Sequence, residues 1–181
     1  MSGNAAIKLD MSKAYDRVEW NFLRDMMTQL GFSLSWVEMI MKCVQSVKYK
    51  VKFNGNLTDE FIPELGLRHP LSPYLFLLCA EGFSTLLQKA EDDGHIGGVK
   101  ICRGAPSISH LLFADDSLIL VRANREDGTK LQGILNLYAE CSGQVINKDK
   151  SAIMFSKNTS ASCKSTVMFQ LGINRESFND K

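Results

Sequence analysis

ISHLLFADDSLILV, residues 108–121, holds two apolar runs separated by Ala-Asp-Asp-Ser. Short apolar runs broken by a turn-forming polar stretch predict the two strands of a hairpin, with Asp115 and Asp116 at its tip. A second acid closes another apolar run, since residues 5–9 lead into Asp10 and the turn-prone MSKAYD. Aspartate in a turn is ordinary, because its carboxylate accepts bonds from local backbone donors, and a lone Asp-Asp pair after a strand is more often a solvated turn than a metal site. Here both acid sites end strands rich in Ile, Leu and Phe, so neighbouring strands would carry three carboxylates to one edge. Clustered carboxylates repel, and a hard divalent cation bound through oxygen relieves that repulsion.

The elements around these strands predict an α+β fold. Val18, Phe22, Met26 and Leu30 recur every four residues with Gly31 as a stop, the stripe of an amphipathic helix. Ser35 followed by Glu38 reads as a capping box for a second helix carrying Trp36, Ile40 and Val44. From residue 47 the period becomes two: Val47, Tyr49, Val51 and Phe53 oppose Lys48, Lys50 and Lys52, and Asn54-Gly55 supplies a hairpin turn. Such a lysine face either guards an edge strand or follows a nucleic-acid backbone, with cations about 7 Å apart. Ser72-Pro73 opens a third, core helix with Ser as N-cap, and a fourth carries Leu131, Leu135 and Tyr138 and stops near Gly143. QVIN and SAIMF flank residues 147–150 as a last strand pair, giving helices packed on one face of an antiparallel sheet.

With 181 residues the chain fits one domain able to bury a core, and 45% hydrophobic with 23% charged residues excludes disorder and fibrous classes. Lys plus Arg is 21 against 20 Asp plus Glu, so no global basic field marks a polyanion partner and any such site is local. Five scattered cysteines without a C-x-x-C pair read as free thiols. No stretch reaches the roughly 20 apolar residues of a membrane span, and the expectation is an intracellular chain, cytoplasmic or nuclear. Residues 156–181 are expected to be a polar loop and tail after a domain over 1–155.

KLDMSKAYDRV (residues 8–18), PLSPYLF (70–76), FADD (113–116) and GQVINKDKS (143–151) stand in the order of palm motifs A, B, C and D of reverse transcriptases. The chain resembles the LINE-class, non-LTR retrotransposon reverse transcriptases abundant in plant genomes, over residues 5–175. The resemblance implies a polymerase palm with truncated fingers and no thumb. It implies an RNA-directed DNA polymerase that transfers deoxynucleotides to a primer 3′-hydroxyl, with RNA template, DNA primer and deoxynucleoside triphosphates as partners and Mg²⁺, or alternatively Mn²⁺, as cofactor. By position, Asp10 and Asp115 match metal-binding aspartates and Asp116 the less engaged neighbour. Tyr15 matches the aromatic residue under the incoming sugar; by itself it is a helix-start aromatic packing on the sheet. Lys150 resembles a lysine that assists the pyrophosphate leaving group, or is a turn-flanking surface lysine. Arg68 is similar to an arginine beside the template, or is a solvated loop arginine. In this light Lys48, Lys50 and Lys52 become plausible phosphate contacts.

Motif B departs from the family, because His69 stands where Gln-Gly-Asp is expected between Gly66-Leu67-Arg68 and Pro70. The chain also starts close to motif A. These departures set the expectation of a degenerate fragment of a larger polyprotein, lacking fingers, thumb and endonuclease regions, whose ancestry is clearer than its activity. The main alternative is a non-catalytic nucleic-acid-binding or protein-interaction remnant. A nucleotidyl cyclase lacks motif support, and His69, His95 and His110 show no nucleophile-elbow context for a hydrolase.

Overall fold

Ile7 lies at the centre of the molecule, paired with Ile119 on one side and Ile153 on the other, and all three side chains are fully buried. The structure, a computed structural model, describes residues 3–177. Ile7 belongs to β1 (Asn4–Leu9), which pairs with β5 (Asp116–Arg122) and β6 (Ala152–Phe155). With β4 (His110–Phe113) the sheet has the order β4-β5-β1-β6, antiparallel throughout. Period-two alternation sorts its side chains. Ile7, Leu9, Ile119, Val121 and Ile153 point into the helical layer, whereas Leu111, Phe113 and Met154 are exposed on the other face. This is the α+β arrangement with helices on one sheet face that the strand and helix patterns predict.

The helical layer is built by α1 (Trp20–Gln29), α2 (Leu34–Gln45), α3 (Ser72–Asp92), α4 (Arg125–Ser142) and α5 (Ala161–Leu171). Phe83, Leu87 and Cys79 of α3 and Leu131, Leu135 and Tyr138 of α4 fill the space over the sheet. Phe83 stacks on Tyr138 with ring centroids 4.8 Å apart. Burial of the large side chains at this seam contributes roughly 2 kcal/mol each. The N-terminus of α4 is fastened by Asp127, fully buried, which accepts from the Gly97 N–H at 2.8 Å and pairs with the Arg122 guanidinium at 2.9 Å. Gly143, left-handed at φ 76, ends α4 as its position in the sequence predicts.

Several expectations are corrected. The buried stripe of α1 is Leu23 and Met27, with Phe22 and Met26 half-buried against α3 and Leu30 43% exposed, because the helix is rotated toward the sheet by one residue. The N-cap of α2 is Ser33, whose hydroxyl accepts from the Trp36 N–H, so Ser35 lies inside the first turn. In α3 Ser72 is the first helical residue and its hydroxyl turns back to His69. The lysine-faced segment is strand only at β2 (Lys52–Phe53), joined to β3 (Asn56–Leu57) through Asn54 and Gly55, both at positive φ. Val51 and Phe53 stay 49% and 71% exposed, since no core layer reaches this hairpin. QVIN and SAIMF do not pair with each other. Both run along the first strand, Ile146 bridging Met11 and β6 pairing with β1. Within the expected polar tail, α5 forms and buries Val167 and Leu171 against the core, with Ser160 as N-cap accepting from the Cys163 N–H. Among the described residues no helix is long and apolar enough to cross a membrane.

Candidate active site

β1 and β5 run side by side, so the end of one and the start of the other meet at one sheet edge. Leu9 pairs with Ser117 there, and the next residue on each side is Asp10 and Asp116. The hairpin turn between β4 and β5 consists of Ala114 and Asp115, with Ala114 held at φ 51. A cleft of about 490 Å³ opens at this edge, lined by Asp10, Lys13, Tyr15, Asp16, Asp115, Asn147 and Lys150 among others.

The expected trio of acids is therefore sorted by the pleat. Asp10 and Asp115 reach the cleft. Asp116, the first residue of β5, points to the open sheet face and makes an ion pair with Lys8 at 3.6 Å. A third carboxylate, Asp16, takes its place along the cleft and is engaged by Arg68 at 2.7 Å. Neither Asp10 nor Asp115 has an ion-pair partner among the described residues. No group of three or more His, Cys, Asp or Glu side chains is arranged to hold a metal among those residues. The two carboxylates supply hard oxygen donors that fit Mg²⁺ or Mn²⁺, ions that complete their shell with water or phosphate oxygens.

The segment carrying Asp10 is fixed by the chain 130 to 141 residues later. The Ser151 hydroxyl accepts from the Asp10 N–H at 3.2 Å, and the Asn147 N–H donates to the Asp10 carbonyl at 2.8 Å. The Ser12 N–H donates to the Val145 carbonyl at 2.8 Å, and the buried Gln144 amide donates to the Ala14 carbonyl at 2.8 Å. Residues 143–151 are thus a splint along residues 10–14, one without a local signal because each bond joins residues far apart in the chain.

Tyr15 is half-buried, its ring tilted against Phe76 of α3 with centroids 4.8 Å apart. Its carbonyl accepts from the Leu67 N–H at 2.7 Å, while the Gly66 N–H donates to the Val18 carbonyl at 2.9 Å. Gly66 sits at φ +91, and a Cβ there would lie 2.8 Å from the Asp16 carbonyl oxygen, so only glycine allows this approach. Arg68 also lies 5.9 Å from the Tyr49 ring, which ties the base of the lysine-rich hairpin to the cleft. Lys48 is paired with Glu60 at 2.7 Å, whereas Lys50 and Lys52 are exposed and have no ion pair among the described residues. The turn leading into α3 is closed locally: the Ser72 hydroxyl accepts from the His69 N–H at 2.8 Å, and His69 Nδ1 accepts from the Leu71 N–H at 3.3 Å. Lys150 lines the cleft from the 147–150 turn, whose Asn147 side chain accepts from the Lys150 N–H at 3.3 Å.

Sequence reasoning passed over two residues here. Gln144 reads as an ordinary polar residue after a helix end. Lys13 reads as part of a turn, yet it lines the cleft in a left-handed conformation, φ 54 and ψ 49.

Comparison with known proteins bears on the whole chain. Residues 2–174 match the family described as reverse transcriptase (RNA-dependent DNA polymerase). An uncharacterized mitochondrial protein of Arabidopsis thaliana is 49% identical over 66 residues, which are 35% of this chain and 54% of that protein. The uncharacterized 149 kDa protein of transposon TX1 from Xenopus laevis is 30% identical over 150 residues, 82% of this chain and 11% of that protein. The chain thus spans about half of the first relative and a small part of the second. Among solved structures, apo telomerase of Candida tropicalis shares the fold with TM-score 0.63 at 16% identity, over 89% of this chain and 32% of that one. Telomerase of Candida albicans in complex with a fragment of telomeric RNA gives 0.62 at 18% identity, over 87% and 28%.

Proposed function

The chain belongs to the reverse transcriptase (RNA-dependent DNA polymerase) family, and from that premise we propose that its cleft is the site of template-directed nucleotidyl transfer, from a deoxynucleoside triphosphate to a primer 3′-hydroxyl on an RNA template. The observation that carries this reading is the meeting of Asp10 and Asp115 at one cleft with Tyr15 on its wall.

Asp10 and Asp115 are the residues that would hold divalent cations such as Mg²⁺. When bound, such ions neutralise triphosphate charge and make the primer hydroxyl more acidic. The chain's own residues do the remaining work. The splint from Gln144 to Ser151 keeps Asp10 in place, so little reorganisation is needed when substrate arrives. Tyr15, braced by Phe76, presents a fixed aromatic wall where a ribose 2′-hydroxyl would collide, favouring deoxynucleotides. Lys150, on the cleft wall, would donate a proton to the departing pyrophosphate. Arg68, steadied by Asp16, stands beside the template path, and Lys50 and Lys52 offer sequence-independent phosphate contacts.

A second reading is favoured by one observation. His69 replaces a three-residue stretch of motif B and closes it into a short, internally bonded turn, which shortens the loop expected to approach template and nucleotide. That favours a palm that binds nucleic acid without extending it. Primer extension on a primed RNA template with Mg²⁺ and with Mn²⁺, using the parent and Asp115→Asn, separates the two. Extension by the parent alone supports polymerisation. Absence of extension by a folded parent that still binds the primed template in a salt-dependent way supports the second reading.

A further inference from the structure

We infer that the groove between α3 and α4 docks an amphipathic helix of a partner protein, one whose apolar stripe is flanked on both sides by Asp or Glu. The groove lies away from the cleft of Asp10 and Asp115, and the inference does not depend on what that cleft does.

The packing of the two helices gives the groove its shape. Its volume is about 690 Å³. Ala90 of α3 and Ile134 of α4 form a buried floor, with Leu86 half-buried and Leu137 47% exposed beside them. From Arg125 to Leu137 the groove follows α4 for about 18 Å, or roughly three helical turns. Along α3, Phe76 beside Tyr15 is about 20 Å from Lys89, so an occupant of the groove leaves the acidic cleft open.

Gly133 gives the second reason. It lies inside α4, where glycine weakens a helix relative to alanine, and its φ is not positive. A Cβ at Gly133 would meet nothing within 4 Å, so neither packing nor backbone conformation calls for glycine there. The other glycines within helices are explained by their neighbours. A Cβ at Gly82 would crowd Met26 and Phe22, and one at Gly128 would strike Gln170. Gly133 instead lines the groove, where a missing side chain lets a second backbone come close.

Charge selects the occupant. Lys89 stands on the α3 side and Arg125 and Lys130 on the α4 side, all three exposed and none in an ion pair among the described residues. Of the acids at the rim, Asp93 sits at the C-cap of α3, and the charge of Glu126 acts on Arg122. Cations on both sides of an apolar floor match carboxylates on both sides of an apolar stripe, the arrangement of a helix with anchors at i, i+3, i+4 and i+7. A fatty-acid-like amphiphile brings one carboxylate and satisfies one side only.

The test is fluorescence anisotropy of a stapled helical peptide with Leu at those four spacings and Glu on both flanks, beside the same peptide with Lys for every Glu. Sodium laurate serves as the small-amphiphile probe, and sedimentation of the protein alone reports self-association. The variants are Gly133→Leu and the pair Lys89→Glu with Lys130→Glu. The expected result is that the parent binds the Glu peptide and not the Lys peptide. Gly133→Leu unfolds about 2 °C above the parent, yet binds the Glu peptide at least about ten-fold more weakly because the new side chain fills the groove. The double charge reversal loses the Glu peptide and gains the Lys peptide, an exchange that loss of folding cannot produce. Absence of Glu-peptide binding by the folded parent overturns the inference, as does binding that neither variant alters. Laurate binding without peptide binding assigns the groove to a small amphiphile and overturns it. Self-association that Gly133→Leu abolishes assigns the groove to a second copy and overturns it too.

Discussion

The hydroxyl of Ser151 accepts a hydrogen bond from the backbone N–H of Asp10 at 3.2 Å, across 141 residues of chain. Ser151 is fully buried and donates in turn to the Asn147 carbonyl at 2.8 Å. Ser151→Ala leaves the Asp10 N–H without this acceptor. The expected loss is about 1.5 kcal/mol of stability, read from urea unfolding. If the cleft polymerises, extension slows roughly ten-fold as the carboxylate loses its fixed position. An unchanged urea midpoint would show that the splint does not bear on Asp10.

Gly66 brings the approach to α3 against the Asp16 carbonyl. Gly66→Ala must both hold φ +91 and relieve a 2.8 Å contact with backbone. The expected destabilisation is about 2 kcal/mol, which for a chain of this size lowers Tm by roughly 6 °C. Calorimetry of the variant checks it. A Tm within one degree of the parent would show that the loop shifts freely.

Asp127 gathers the Gly97 N–H, the Arg122 N–H and the Arg122 guanidinium around one fully buried carboxylate. The same contact holds Arg122 above the ordinary arginine range, its hydrogen bond to Asp127 being the largest cause. Asp127→Ala strands those donors and is expected to cost about 3 kcal/mol. Asp127→Asn keeps an acceptor oxygen and should cost roughly half as much. Denaturant titration of both variants gives the order, and equal losses would refute the role of the charge.

His110 Nε2 lies 2.8 Å from the Ser84 hydroxyl and Nδ1 lies 3.0 Å from that of Ser109. Burial pushes its pKa below the ordinary 6.5, a fall that Glu91 and Glu81 of α3 oppose. Folding therefore favours the neutral ring, and the unfolded chain binds more protons as pH drops through 6.5. Stability from this group is full above that pH, falls as pH descends from it, and levels off below the folded value. Urea midpoints at stepped pH between 8 and 5 should show a decline that His110→Gln lacks.

Much of this was legible in the sequence because the deciding signals are local. The apolar run before Asp10, a turn within residues 114–117 and the Gly143 stop each depend on residues a few positions apart, although the structure narrows that turn to Ala114 and Asp115. The misplaced features depend on partners far away. The face of α1 is set by where α3 and the sheet lie, so Leu23 and Met27 won over Phe22 and Met26. Residues 161–171 look polar, yet Val167 and Leu171 dock on α4 and the core, which stabilises a helix that local pattern alone does not announce. Asp116 follows Asp115 in sequence but is turned away by the pleat, and Asp16 replaces it through the 3₁₀ turn Ala14–Arg17. Register and pleat, not composition, decide which acids share a cleft.

Strand β1 occupies the inside of the sheet, with β5 and β6, both far later in sequence, as its neighbours. Its partners begin at Asp116 and Ala152, so on a ribosome β1 waits, unpaired, until those distant segments have been synthesised. Closing contacts of such long sequence separation slows folding and prolongs the exposure of an apolar strand with both edges free. The same wiring makes assembly all-or-none near the cleft. Asp10 acquires its place only when the segment ending in Ser151 has docked, so no early folding intermediate carries a finished site.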